Sequence, residues 1–262
     1  MLSNSESTAH ELKRTGSCTP LLASHCPLAP HYFGLAALSF LLYPLLRGFG
    51  PEVGVAGARH LGSPSWVAAH VAAMIGFVAL AIALRRGADD PRRRSTELLA
   101  WLATCLLLPY YGAETFALND VGQWVTSGGD PAAMAVADDF RMSPVLLVTF
   151  VAGWVLLGWV AVRLVRDDGR AASPQRWGVR MTAIGLLLFL PQFFAPGPVR
   201  IAHGIILGLG LAIWAITEAR RDDGVSAANS TVRPKPSTVR PITPTVHPET
   251  PTTQNSGADV RR

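Results

Sequence analysis

Four ionisable side chains stand inside or at the edges of apolar runs, Arg47, His70, Glu114 and His203, and any chemistry in this chain is expected there. A charged side chain at mid-bilayer costs about 2.5–3.5 kcal/mol on insertion scales, so such groups face protein or water and mark functional positions. His70, His203 and Glu114 have the donor set of a two-histidine, one-carboxylate metal centre, and the two histidines alone could ligate a haem. Zinc held this way with an open fourth position could activate water, which would make a membrane hydrolase. Without a metal, Glu114 and Arg47 could form a gated pair on a pathway for a small ligand or for protons, with the histidines titrating near physiological pH. The plainest arrangement is an interfacial belt in which Arg47 snorkels, Glu114 pairs with it and the histidines bond neighbouring backbone. Tyr43, Trp66, Tyr110, Tyr111 and Gln192 fall at comparable heights.

These residues must be positioned by six apolar segments, 32–50, 65–84, 98–118, 145–165, 179–195 and 199–217, each close to the ~20 residues that cross a bilayer. The composition is 49% hydrophobic and 16% charged, with the charges gathered into the gaps between apolar runs. That segregation predicts an all-α integral membrane bundle of six transmembrane helices, with the lipid bilayer as its first partner. The net charge of +5 rests on arginines in the short gaps, which suits anionic headgroups, and no nucleic-acid module is present.

The arginines also set an orientation. Arg85, Arg86, Arg92, Arg93 and Arg94 fill the second gap, and Arg163, Arg166, Arg170, Arg176 and Arg180 fill or border the fourth; both are expected in the cytoplasm. The alternate gaps hold Arg47 and Arg59, Arg141 among Asp120, Asp130, Asp138 and Asp139, and Arg200, and are expected outside. Six spans then leave both termini cytoplasmic in the cell membrane, and Arg47, His70, Glu114 and His203 share one depth, ~6 to 8 Å below the outer surface at most.

Prolines with aromatic neighbours recur in the odd spans, at Pro44, Pro109 and Pro191, and suggest three helical hairpins. Proline removes a backbone hydrogen bond and crowds the preceding turn, so kinks are expected near the outer ends, opening a vestibule. Small residues at Ala68, Ala72 and Gly76 and at Gly204 and Gly208 predict close packing of the second and sixth spans, and a homo-oligomer is compatible with such faces.

Residues 1–30 read as a polar cytoplasmic segment. Cys18, Cys26 and Cys105 imply no disulfide framework, and His10, His25 and His31 match no zinc spacing. Ala56-Gly57-Ala58 resembles a small-residue cleavage site, but the preceding segment is too long and polar for a usual signal peptide. Residues 219–262 read as a disordered Pro/Thr/Ser-rich tail, with a seven-residue recurrence at Thr231, Thr238 and Thr245 that could present an extended strip to a cytoplasmic partner. No HExxH pair, GxSxG turn, nucleotide-binding loop or channel filter is present. The sequence therefore reads as a multi-pass membrane protein with an outward polar cluster, no assigned cofactor and no assigned catalysis. A transporter or sensor of a small ligand or protons is the leading specific role, ahead of a metal- or haem-binding membrane enzyme.

Overall fold

The computed structural model describes residues 28–85, 90–167 and 173–231. Two units are distinguished, Met1–Gly224 and Val225–Arg262, and of the second only the helical backbone up to Thr231 is described. Among the described residues there is no strand. The elements are α1 (Ala29–Arg47), α2 (Gly54–Leu61), α3 (Pro64–Leu84), α4 (Pro91–Gly112), a π-helical turn (Ala113–Ala117), α5 (Leu118–Thr126), a 3₁₀ turn (Pro131–Met134), α6 (Ala135–Arg141), α7 (Pro144–Asp167), α8 (Ser173–Gln192) and α9 (Gly197–Thr231).

Three starts share one device. Ser63, Asp90 and Asp130 each accept a backbone N–H two or three residues on, at 3.2, 2.9 and 2.9 Å, and a proline follows each. The side-chain oxygen satisfies one orphan donor of the first turn, and proline sits where its missing N–H costs nothing.

Each of the six apolar runs falls mainly on one of the long helices, the third continuing through the π turn to Leu118, but four of these helices are long and apolar enough to cross a membrane: α1, α3, α7 and the Gly197–Gly224 part of α9. The other two, α4 and α8, have similar length with more polar ends, Arg92 to Glu97 in one and Gln175, Arg176 and Arg180 in the other. Pro44, Pro109 and Pro191 all lie within helices; the last sits in the final turn of α8, which stops at Gln192, short of the expected 195. The helix α9 continues to Thr231, into the segment read as tail. The rest of the tail, its recurring threonines beyond Thr231, and the segment holding Cys18 and Cys26 lie outside the described residues.

The bundle is apolar both in its interior and over much of its outer face. Alanine and glycine line many helix contacts, while Val145, Val148, Val151, Val155 and Trp159 form an exposed stripe along α7. Lipid removes the penalty for such a stripe, and small residues let backbones approach. On α3 the buried small row is Ala69, Ala73 and Gly76, shifted by one residue from the expected Ala68 and Ala72. Gly76 admits the Phe40 ring; a Cβ there would lie 3.0 Å from it. On α9, Gly204 receives Pro44 of α1, where a Cβ would lie 2.5 Å from the proline ring. At mid-height Phe40, Phe77, Trp154 and Phe189 form an aromatic layer, with Trp154 and Phe189 stacked at 4.5 Å.

The segments expected to be loops at one end are instead folded. The helices α2, α5 and α6, with the 3₁₀ turn, enclose a second small core of Ala58, Leu61, Trp66, Leu118, Val125, Met134 and Ala137. Gly62 and Gly122 make this cap possible: a Cβ on Gly122 would lie 2.6 Å from both the Ala58 carbonyl oxygen and the Gly62 nitrogen. Asn119 Nδ2 donates to the Leu61 carbonyl at 2.7 Å, satisfying the end of α2, and Gln123 Nε2 holds Asn119 Oδ1 at 2.7 Å. With no apolar run long enough to signal a helix, these short elements depend on tertiary contacts.

Candidate functional site: an ion chain beneath the helical cap

The helix begun at Pro91 passes without interruption through the π turn into α5. The wide turn leaves carbonyls without the usual partner, and two are met by side chains: Trp66 Nε1–H donates to the Glu114 carbonyl at 2.8 Å, and Thr115 Oγ1 to the Tyr111 carbonyl at 2.5 Å. The same turn directs the Glu114 side chain inward, where the residue is 3% exposed.

Glu114 does not pair with Arg47, as the sequence suggested. Arg141, the last residue of α6, grips it with both arms, Nε to Oε1 at 2.8 Å and Nη2 to Oε2 at 3.1 Å. Arg141 also reaches Glu52 at 2.8 Å, and Glu52 bonds Arg47 at 2.5 Å. The result is an alternating chain, Arg47, Glu52, Arg141, Glu114, that ties the end of α1, the turn before α2, the end of α6 and the π turn together. The Glu52 backbone lies so close to Gly57 that no side chain fits there, and Gly48 and Gly54 bracket the turn with φ of +67° and +61°.

Fully buried Trp66 stands at the centre. The Arg47 guanidinium carbon lies 5.0 Å from the indole centroid, His70 packs on it at 4.3 Å and His60 meets it edge-on at 5.2 Å. Three of the four expected residues, Arg47, His70 and Glu114, therefore meet at Trp66, while His203 lies apart.

A carbonyl can only accept, so His70 Nδ1–H donates to the Trp66 carbonyl at 2.8 Å and His203 Nε2–H to the Gly185 carbonyl at 2.7 Å. Between the two stand Tyr43, 5.6 Å from His70, and Phe189, 5.1 Å from His203. Among the described residues no three His, Cys, Asp or Glu side chains come together as a metal-binding group, so His70, His203 and Glu114 do not form the expected donor set. Each histidine donates one ring N–H to backbone, and the Tyr43 and Phe189 rings stand between the two. Cys105 is exposed on α4.

Sequence reasoning missed Glu52 and placed Arg141 only in an outward gap among aspartates. Their partners are set by how the cap folds, and neither sits in an apolar run.

The electrostatics outside the spans follow from this geometry. Burial pushes the Glu52 carboxyl up, but Arg47 and Arg141 outweigh it and hold the group below its ordinary value of 4.5. Burial also weighs against Arg141, and its bonds to Glu114, with Glu52 beside them, raise it further above its already high value. Burial and then Arg47 push His60 below 6.5. Both Glu52 and His60 bind protons more readily unfolded than folded, so each loses stabilisation on acidification. The His60 contribution fades as pH falls below 6.5, and that of Glu52 is full above 4.5 and fades below it. Tryptophan fluorescence of the purified protein titrated from neutral to acid is expected to show the cap loosening in that order, and Glu52→Gln to remove the more acid step.

The fold is thus that of an all-helical protein with four helices long and apolar enough to cross a membrane, carrying a buried ion chain at one end of the bundle. No family model, curated protein or solved structure matches the chain.

Proposed function

We propose that the chain is a six-span protein of the cell membrane with both termini in the cytoplasm, and that its outer polar cluster receives a small ligand or protons as a transporter or sensor. The observation that carries this reading is the burial of Glu114 at a π turn, beneath a cap whose own Arg141 holds it. Buried charges paired between separate elements are costly to build for stability alone, which favours a functional role for them. The opposite end, with Arg85, Arg92, Arg93, Arg94, Arg163 and Arg166, fits the cytoplasmic side. The hairpin arrangement is supported by packing of α1 on α3, α4 on α7, and α8 on α9. The bilayer covers the exposed stripe of α7, and a second copy of the chain or a cytoplasmic partner of the tail fits the same plan.

The test is reconstitution into liposomes carrying an internal pH dye, with an acid pulse or solute gradient applied outside. A response in the wild type that Glu114→Gln abolishes is expected. A wild type with no response, or a Glu114→Gln variant with an unchanged one, would sink the reading. Orientation is checked in the same preparation: a membrane-impermeant maleimide is expected to reach Ser127→Cys, and not Arg93→Cys, from the outside of cells expressing chains freed of Cys18, Cys26 and Cys105.

A further inference from the structure

The charges that meet beneath the cap do not balance. Arg47, Arg141 and Arg200 stand against Glu52 and Glu114, and the two ion-paired arginines, Arg47 and Arg141, account for both carboxylates. Arg200 belongs to the stretch of α9 that packs on the end of α1, the helix end that carries Arg47. Gly204 seats Pro44 below them, Gly197 seats the Phe49 ring above them, and the Arg200 guanidinium carbon lies 6.0 Å from that ring. Arg200 faces no carboxylate in the ion pairs of the described residues; Nε and Nη2 donate to the Ala195 and Phe193 carbonyls at 2.8 and 2.5 Å. A further positive charge at this end of the bundle, matched by no carboxylate in those ion pairs, favours an anion beside it.

Donors without acceptors lie in the same region. Arg47 Nε is buried and makes no hydrogen bond. Gln192 is 5% exposed, ends the helix whose following residues hold Arg200, and its Nε2 is buried without a partner. Buried donors in native proteins are almost always satisfied, so two orphans beside an unmatched charge call for an acceptor-rich anion.

We propose that the space between Arg47 and Arg200, with Gln192 at its edge, is a binding site for a phosphate-type oxyanion, supplied either as free inorganic phosphate or as the headgroup of an outer-leaflet lipid. The inference rests on the reading of the outer cluster as a ligand-receiving site, and it names the class of ligand. An oxyanion offers several acceptors at once, accepts bidentate bonds from guanidinium groups and supplies the missing negative charge. Arg200 is partly exposed, so the anion has a route in from the outer surface.

The experiment is binding to the full chain, purified in a neutral detergent and freed of phospholipid. Inorganic phosphate is added in one arm and phosphatidylglycerol in mixed micelles in the other, and unfolding temperature is read in both. A saturable rise with phosphate identifies the free anion, and a rise with phosphatidylglycerol alone identifies the headgroup. In either case Arg47→Gln and Arg200→Gln are each expected to weaken binding roughly tenfold or more. No rise with either ligand, or a rise that neither variant weakens, overturns the proposal. Should Arg47→Gln fail to fold, Arg200→Gln decides alone, since that side chain is partly exposed. Binding without flux in the liposome assay would leave the anion site and remove the transport reading; flux without binding would do the reverse.

Discussion

Replacing Arg141 with alanine is expected to unlatch the cap. Arg141 is the only residue that contacts both carboxylates in the ion pairs among the described residues, and the Glu114 side chain it leaves is 4% exposed. An uncompensated carboxylate at that depth costs about 3–5 kcal/mol, far more than the pair contributes relative to an apolar replacement. The expected result is a large drop in unfolding temperature together with rapid proteolysis within 127–143, while the spans stay protected. The double replacement Arg141→Met/Glu114→Met should recover most of the loss, because no charge is then buried alone. A single variant as stable and as protease-resistant as the wild type would show that the ion chain does not hold the cap down.

Trp66→Ala is expected to be as damaging by a different route. The indole is fully buried in the small core of the cap, and it also satisfies the Glu114 carbonyl, packs on His70 and lies under Arg47. Truncating a buried tryptophan costs about 3–5 kcal/mol through lost transfer energy and the cavity left behind. Trp66→Phe restores part of the volume without the N–H, so it should fall between the two, with the difference from wild type reporting the orphaned carbonyl. Equal stability of Trp66→Phe and wild type would mean that the π turn needs no outside donor.

The spans were legible because a long apolar run has one meaning in physical chemistry, and because Ser63-Pro64, Asp90-Pro91 and Asp130-Pro131 announce helix starts locally. Where polar residues dilute the run, as in α4 and α8, length and composition stop deciding whether a helix crosses a membrane. The shared depth of Arg47, His70 and Glu114 could be read from their positions within spans, but their partners could not. Arg141 is 27 residues from Glu114, and Trp66 is 48 residues from it. Contacts at such separations carry no periodicity, and they depend on a cap whose helices are too short to declare themselves. His203 shows the converse: similar depth and residue type placed it with His70, whereas the rotation of α9 aims it at Gly185.

The aromatic layer of Phe40, Phe77, Trp154 and Phe189 has an electrical consequence. In a bilayer the applied voltage falls mostly across the driest, least polarisable stretch, and moving one elementary charge through the whole drop is worth about 2.3 kcal/mol per 100 mV. The ion chain lies wholly on one side of that layer, so a rearrangement confined to Arg47, Glu52, Arg141 and Glu114 transfers little gating charge. Such a cluster is nearly blind to a voltage applied along the bundle and is left to respond to the solution at its own end.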